Sequence, residues 1–407
     1  MTDVTVGRRE RKKARTRQAI ADAARRLFLE RGFDDVTVRE VADSADVSMS
    51  GLFTHFPTKE SLVFDEDDDV REGLVAAVRD RPDGTPAPEA LRRWLRDHTL
   101  RRAGDPDAGA VVDLIAGTPA LNDHWRRIRR QHEEALAEAI REAGPDAPGA
   151  DTAARALARF VLERTRPRRD DPHGELDAAL DLMSRGWPAP ERDRPRRPTS
   201  PAGGPPTPTR PAGLRERKKQ QTRQAITRAA LALFTERGYD HVGVREIADA
   251  ADVSPGTVFA HFPDGKASLL FPGNRADRHA AVVDAVRHRP AGQTIPRALH
   301  DHLARRGPFA PDLSADEQRI LDLIRATPEL SDYALRGWTS AQPALVAAIV
   351  DETGLPADDP TAHLLAHYIL QIPDLAHAST DARQVLDVVT DLLEHGWPAC
   401  LTSGAAR

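Results

Sequence analysis

Cysteine is nearly absent from this 407-residue chain: Cys400 stands alone, which excludes an intrachain disulfide and favours a reducing compartment. Aromatics make up only 5% of the residues, with three Met and three Tyr, so any core must be built from Leu, Ala, Val and Ile. No run of 18 apolar residues occurs, so no membrane span is expected. Basic residues near the start are not followed by an apolar run, so they do not read as a secretory signal. A cytoplasmic protein is expected. Alternating strand patterns, nucleophile–base motifs, Gly-rich phosphate loops and metal-ligand clusters are also missing. Catalysis is therefore not expected, and neither a cofactor nor a metal is implied. His363 and His367 lie four apart at helical spacing, but a third ligand is lacking and helix histidines are the plainer reading.

What the chain does have, it has twice. Arg9–Pro57 aligns without a gap on Arg215–Pro263, and 32 of the 49 positions are identical. An internal repeat governs every other fold assignment, and this one is too long for a solenoid. The likeness continues more weakly: Asp113-Leu-Ile-Ala-Gly-Thr-Pro parallels Asp322-Leu-Ile-Arg-Ala-Thr-Pro, and Arg185-Gly-Trp-Pro parallels His395-Gly-Trp-Pro. A whole unit of about 190 residues is duplicated. Between the copies, Ala189–Gly213 holds eight Pro in 25 residues. Such a linker is extended polyproline-like chain, spanning about 75–80 Å fully stretched and roughly 25–30 Å coiled.

Net charge is −5, which argues against a nucleic-acid partner until its distribution is considered. Arg8–Arg17 carries seven basic residues against one Glu, and Arg215–Arg223 five against one. Both basic arms directly precede the repeated helical pattern. In the first copy Ile20, Ala23, Ala24, Leu27 and Phe28 fall on one helical face. Gly32 follows as a left-handed stop. Thr37 and Glu40 have capping-box spacing, and Val38, Val41 and Ala42 give the next buried face. A tight turn near Asp46-Val47 leads to Ser48, placed to cap another short helix. Helix, short turn, helix is a helix-turn-helix, whose second helix enters the major groove. Its small or polar outward residues (Met49, Ser50, Gly51, Thr54, His55) allow close approach and contacts to phosphates or base edges.

Further on, Leu121, Trp125, Ile128, Leu136 and Ile140 predict one long amphipathic helix, and Leu176, Leu180 and Met183 the last helix of the first copy. Arg126, Arg127, Arg129 and Arg130 read as a solvated face beside Glu133, Glu134 and Glu138. The acidic run Asp65–Asp69 suits an early helical turn.

Ala45-Asp-Val-Ser-Met-Ser-Gly-Leu-Phe-Thr-His-Phe-Pro-Thr-Lys-Glu-Ser-Leu resembles the DNA-binding signature of TetR-family transcriptional regulators, and so does Ala251-Asp-Val-Ser-Pro-Gly-Thr-Val-Phe-Ala-His-Phe-Pro-Asp-Gly-Lys. The resemblance implies an all-α chain of two TetR-like modules, each with an N-terminal helix-turn-helix domain and a C-terminal helical sensor and dimerisation domain. The expected boundaries are 1–65, 66–188, a linker over 189–213, 214–272 and 273–400.

It also implies roles. In the first copy the DNA-contacting set is Arg8, Arg9, Arg11, Lys12 and Lys13 of the arm, Thr37, Arg39, Ser48, Met49, Ser50, Gly51, Phe53, Thr54, His55, and Lys59 at the start of the following helix. In the second it is Arg215, Arg217, Lys218, Lys219, Arg245, Ser254, Pro255, Gly256, Thr257, Phe259, Ala260, His261 and Lys266. Trp94, Trp125 and Trp338 are candidates to line a ligand cavity, with core packing as the simpler role. The sensor regions resemble those of actinobacterial members that respond to acyl-CoA-like ligands.

Departures from the family pattern matter. Phe53 and Phe259 stand where many members have Tyr, removing a hydroxyl–phosphate contact. Gly243 replaces the capping Thr, and Gly265 is one extra residue before Lys266. A double-stranded DNA operator is the expected partner, with pairing between the two copies and a homodimer of chains as the further possibility. A ligand-responsive repressor is the leading expectation. A protein-interaction module or antagonist with reduced DNA binding is the alternative, and an enzyme comes third.

Overall fold

A computed structural model describes residues 8–64, 67–102, 106–164, 172–187, 214–271, 273, 275–377, 379 and 381–397. The linker over 189–213 lies outside them. The chain forms two compact units, Met1–Ser184 and Arg185–Arg407. Among the described residues all regular structure is helical.

The first unit opens with α1 (Arg8–Arg31), α2 (Val38–Ser44) and α3 (Met49–His55), then a 3₁₀ turn at Glu60–Leu62. The basic arm is not a separate strand of chain. Arg, Glu and Lys are good helix formers, and no breaker lies between them and Ile20, so the arm is the first turns of α1. Gly32 ends α1 at φ +86°. The three helices enclose Ile20, Phe28, Val41, Leu52, Phe56 and Leu62. They continue into α4 (Asp67–Arg79), α5 (Ala87–Arg102), α6 (Ala108–Gly117), α7 (Pro119–Ala143), α8 (Ala150–Arg164) and α9 (Pro172–Arg185). Leu121 near the start of α7 is fully buried in the head's core, which roots the bundle in the head. The lower bundle buries Leu136, Ile140, Phe160, Leu180 and Met183.

The second unit repeats this order: α10 (Leu214–Arg237), α11 (Val244–Ala250), α12 (Pro255–His261), a 3₁₀ turn at Lys266–Leu270, α13 (Arg275–Arg287) and α14 (Ile295–Leu303). After them come α15 (Ala315–Ala326), α16 (Pro328–Thr339), α17 (Gln342–Thr353), α18 (Pro360–His377) and α19 (Ala382–His395). The single α7 of the first copy has become two helices. Pro343 stands where the first copy has Glu134, and a proline cannot donate to the carbonyl four residues back. The helix stops at Thr339 and restarts at Gln342.

Candidate nucleic-acid interface

Each helix-turn-helix is fixed by matched local devices. In the first copy Thr37 caps α2: its Oγ1 accepts from the Glu40 amide at 3.3 Å, while Glu40 Oε2 accepts from the Thr37 amide at 2.7 Å. Glu40 also pairs with Arg31 at 2.8 Å, and these bonds hold its carboxyl well below the usual range, to about 2. The turn needs one residue in the left-handed region. Asp46 supplies it at φ +53°, and Val47 N–H then donates back to Ala42 O at 3.0 Å. Asp tolerates this conformation better than most residues. Ser48 caps α3 by accepting from Gly51 N–H at 3.1 Å.

The second copy reproduces the turn: Asp252 has φ +54°, Val253 donates to Ala248 O at 3.0 Å, and Ser254 accepts from Thr257 N–H at 3.1 Å. Its α11 start is poorer. Glu246 still accepts from the Gly243 amide at 2.8 Å and pairs with Arg237, but Gly243 has no side chain to return the bond.

Only Leu52 of α3 and Val258 of α12 are buried. Outward on α3 stand Ser50, Phe53 and Thr54, with Met49, Gly51 and His55 half-covered. On α12, Pro255, Gly256, Phe259 and Ala260 are exposed, with Thr257 and His261 half-covered. Phe53 is 45% and Phe259 52% exposed; they are the large exposed hydrophobics among the described residues, at matching positions.

Ser48 and Ser254 are exposed beside these helices, as are Thr37, Arg39, Gly243 and Arg245 at the start of the preceding ones. Arg11, Lys12, Lys13, Arg217, Lys218 and Lys219 are exposed on the first turns of α1 and α10. The side chains of Arg8, Arg9 and Arg215 lie outside the described residues.

Three features were not foreseen. The last arginine of each basic run is spent inside the head. Arg17 Nη1 donates to His55 O at 2.9 Å with its guanidinium 4.5 Å from the Phe56 ring centre; Arg223 treats His261 and Phe262 in the same way, at 2.9 and 4.4 Å. They clamp the end of the outward helix to the long helix. Second, Nδ1 of both His55 and His261 is buried without a hydrogen-bond partner. Burial, reinforced by Arg17 and Lys13 for His55 and by Arg223 and Lys219 for His261, lowers both pKa values and keeps the rings neutral. They are polar contacts rather than cations. Third, Lys59 and Lys266 do not begin an α-helix. They enter a 3₁₀ turn and lie over aromatic rings, Lys59 Nζ 4.2 Å from Phe33 and Lys266 Nζ 4.0 Å from Tyr239. Ring stacking fixes each ammonium near the outward helix.

Of the three tryptophans, Trp338 lines a cavity of about 350 Å³ within the second unit. Trp94 stacks on His98 at 4.7 Å, and Trp125 on Phe64 at 6.0 Å. Arg129, read as solvated, pairs with the buried Glu163 at 3.3 Å. Asp65 lies outside the described residues, while Asp67–Asp69 open α4. Asp391, Glu394 and His395 bring possible ligand atoms within 4.8 Å of one another. Arg297, at 2.7 Å from Asp391 and 2.6 Å from Glu394, already pairs with both acids, so the cluster fits a shared ion pair better than a metal. No described helix is long and apolar enough to cross a membrane.

Comparison with known proteins agrees with this geometry. The family model for the TetR family of bacterial regulatory proteins matches twice, over residues 20–65 and 226–271. The HTH-type transcriptional regulator TcmR of Streptomyces glaucescens is 33% identical over 38% of this chain and 69% of its own length. An HTH-type transcriptional repressor of Mycobacterium tuberculosis is 31% identical over 42% of this chain and 91% of its own. A solved TetR-family regulatory protein from Rhodococcus RHA1 is 24% identical, covering 41% of this chain and 94% of its own, with a TM-score of 0.27. The chain belongs to the TetR family of bacterial regulatory proteins and carries that family's DNA-binding module twice.

Proposed function

We propose that one chain binds a two-half-site operator as an intrachain pseudo-dimer and acts as a ligand-responsive repressor on the nucleoid. The observation that carries this reading is the duplicated head. Each copy offers a short outward helix at the same place, with an exposed phenylalanine at the matching position and cations nearby in sequence. In the proposed complex the outward helices read base edges, while Thr37, Arg39, Arg245, Lys59, Lys266 and the basic first turns of α1 and α10 meet phosphates. Half-sites of such dimers lie about 34 Å apart, within the linker's reach. The heads differ at Met49-Ser-Gly-Leu against Pro255-Gly-Thr-Val, so the operator is asymmetric. The relatives named above are a regulator and a repressor, which supports repression.

Light scattering of the smallest complete operator complex tests the stoichiometry. One chain per operator is expected. Two chains would overturn the pseudo-dimer and favour a homodimer of tandem chains. A gel shift with no binding by either head would favour the protein-interaction reading.

A further inference from the structure

The cavity of the second unit is lined at positions where the two copies differ. Its wall includes Phe271, Ile324, Ala334, Gly337 and Trp338. Ala334 matches Trp125 of the first copy, and Gly337 matches Ile128. In the first copy those two larger side chains pack against the head's core, Trp125 stacked on Phe64. Phe271, the counterpart of Phe64, keeps a tilted contact with Tyr333 at 5.2 Å. Tyr333 stands where the first copy has His124, stacked on Phe64 at 5.4 Å, but no ring takes the place of Trp125. Two large-to-small replacements therefore leave open in the second copy what the first fills with its own atoms. Trp338 adds an apolar wall where the first copy has Arg129, engaged with Glu163.

Into this apolar space the second copy introduces a cation. Arg278 stands where the first copy has the buried Val70. Its Nη1 donates to Gly273 O at 2.8 Å, and its Nη2 lies 3.9 Å from where a Gly337 side chain would begin. Among the described residues no carboxylate lies within 4.0 Å of it. Of the acids on the wall, Glu317 caps Ser314 and Asp374 has interactions of its own. A partly desolvated guanidinium without a carboxylate is costly unless an anion arrives.

We propose that the second module alone is the sensor: its cavity takes a compact apolar ligand bearing one carboxylate, with the acid on Arg278 and the apolar body between Phe271 and Trp338. In the first module Trp125 and Ile128 occupy the corresponding place. This rests on the reading of the chain as a ligand-responsive regulator. The volume falls at the small end of ligand sites, suited to one or two fused rings. Of an acyl-CoA it would enclose only the acyl end. Ile324 of the cavity wall belongs to the core of the second head and Phe271 packs against that core, so an occupant bears directly on that head.

The test uses the full chain, with 2-naphthoate and its neutral amide as probes in calorimetry. One naphthoate per chain is expected. Arg278→Gln should weaken naphthoate at least about tenfold and leave the amide unchanged. Ala334→Trp, and separately Gly337→Ile, should abolish binding of both probes, with circular dichroism confirming that each variant folds. Two sites per chain, no binding up to about millimolar probe, equal loss of acid and amide in Arg278→Gln, or full binding in both filled variants would each overturn the proposal. Operator affinity measured alongside separates the two readings. Binding that leaves operator affinity unchanged refutes ligand response but keeps the site. An operator response that survives in both filled variants refutes the site but keeps ligand response.

Discussion

Restoring the missing cap offers a sharp test of how the second head is held. Gly243 has φ −91° and ψ 155°, against −92° and 152° for Thr37, so a threonine can adopt the backbone already present. A Cβ there would first meet Glu246 Oε2, at 3.5 Å, an ordinary contact. Gly243→Thr should therefore complete the box that Thr37 and Glu40 form. Replacing a Thr cap by Gly costs a few tenths of a kcal/mol, and removing a glycine's freedom from the unfolded chain adds about 0.4–1 kcal/mol. The expected gain is about 0.5–1.5 kcal/mol, or roughly 2- to 12-fold slower amide exchange at a factor of ten per 1.4 kcal/mol. Global melting is a poor assay, because a chain of two compact units need not unfold in one step. Native-state exchange of the Val244–Ala250 amides reads the local change directly. Unchanged or faster exchange would refute the reasoning, and slowing confined to the first head would show that the cap does not act locally.

Neutralising Arg11, Lys12 and Lys13 together to Gln should lower the slope of log affinity against log salt by about 2–3, and an unchanged slope would remove the first turns of α1 from the interface. Phe53→Ala and Phe259→Ala should alter stability by less than about 0.5 kcal/mol, since both rings are exposed, while each weakens operator binding; the reverse pattern would make them structural. His55 and His261 have folded pKa values below the ordinary 6.5, so the unfolded chain binds protons first. Stability of the heads should be full above about pH 6.5 and fall as the pH drops below it, visible as faster exchange of head amides; a rise on acidification would contradict their burial. Release of operator by naphthoate should follow a Hill coefficient of about 1, because one sensor per complex leaves nothing to cooperate; a steeper curve would require a second site.

Residues acting through local backbone chemistry were legible in sequence. Gly32, Thr37, Glu40 and Ser48 act over four residues or fewer, and spacing alone predicts their bonds. Gly243 could likewise be read as a lost cap, because its effect needs no distant partner. What escaped was long-range pairing. Arg17 looks like one more arm cation, yet it meets His55 and Phe56, 38 and 39 positions on. Lys59 looks like a free phosphate contact until the fold brings Phe33 beneath it. The cavity was hidden for the same reason. Trp125 and Trp338 look alike as helical aromatics, but one packs against the head's core and the other borders a cavity beside Ala334 and Gly337. Aligning the two copies beyond the heads was the available signal, since Trp125 against Ala334 is visible without coordinates.

A duplicated head in one chain changes what each half must supply. In a homodimer every substitution appears in both half-site contacts. Here a change in one head leaves the other untouched. Losing the cap at Gly243 costs the second head about 0.5–1.5 kcal/mol, roughly a 2- to 12-fold weakening if it were fully passed to binding. Tethering by the linker raises the second head's effective concentration toward the millimolar range once the first is bound. For a half-site of about 10 μM intrinsic affinity that supplies roughly a hundredfold, more than the missing cap takes away. In the proposed pseudo-dimer the head without the cap would be held on its half-site through the other one. It is also the head whose core residue Ile324, with Phe271 packed against that core, borders the cavity. A ligand of modest affinity needs to disturb only this marginal contact, because its differential effect adds to a deficit already present. Under the proposed ligand response, the lost cap and the cavity of the second copy would act in the same direction on release.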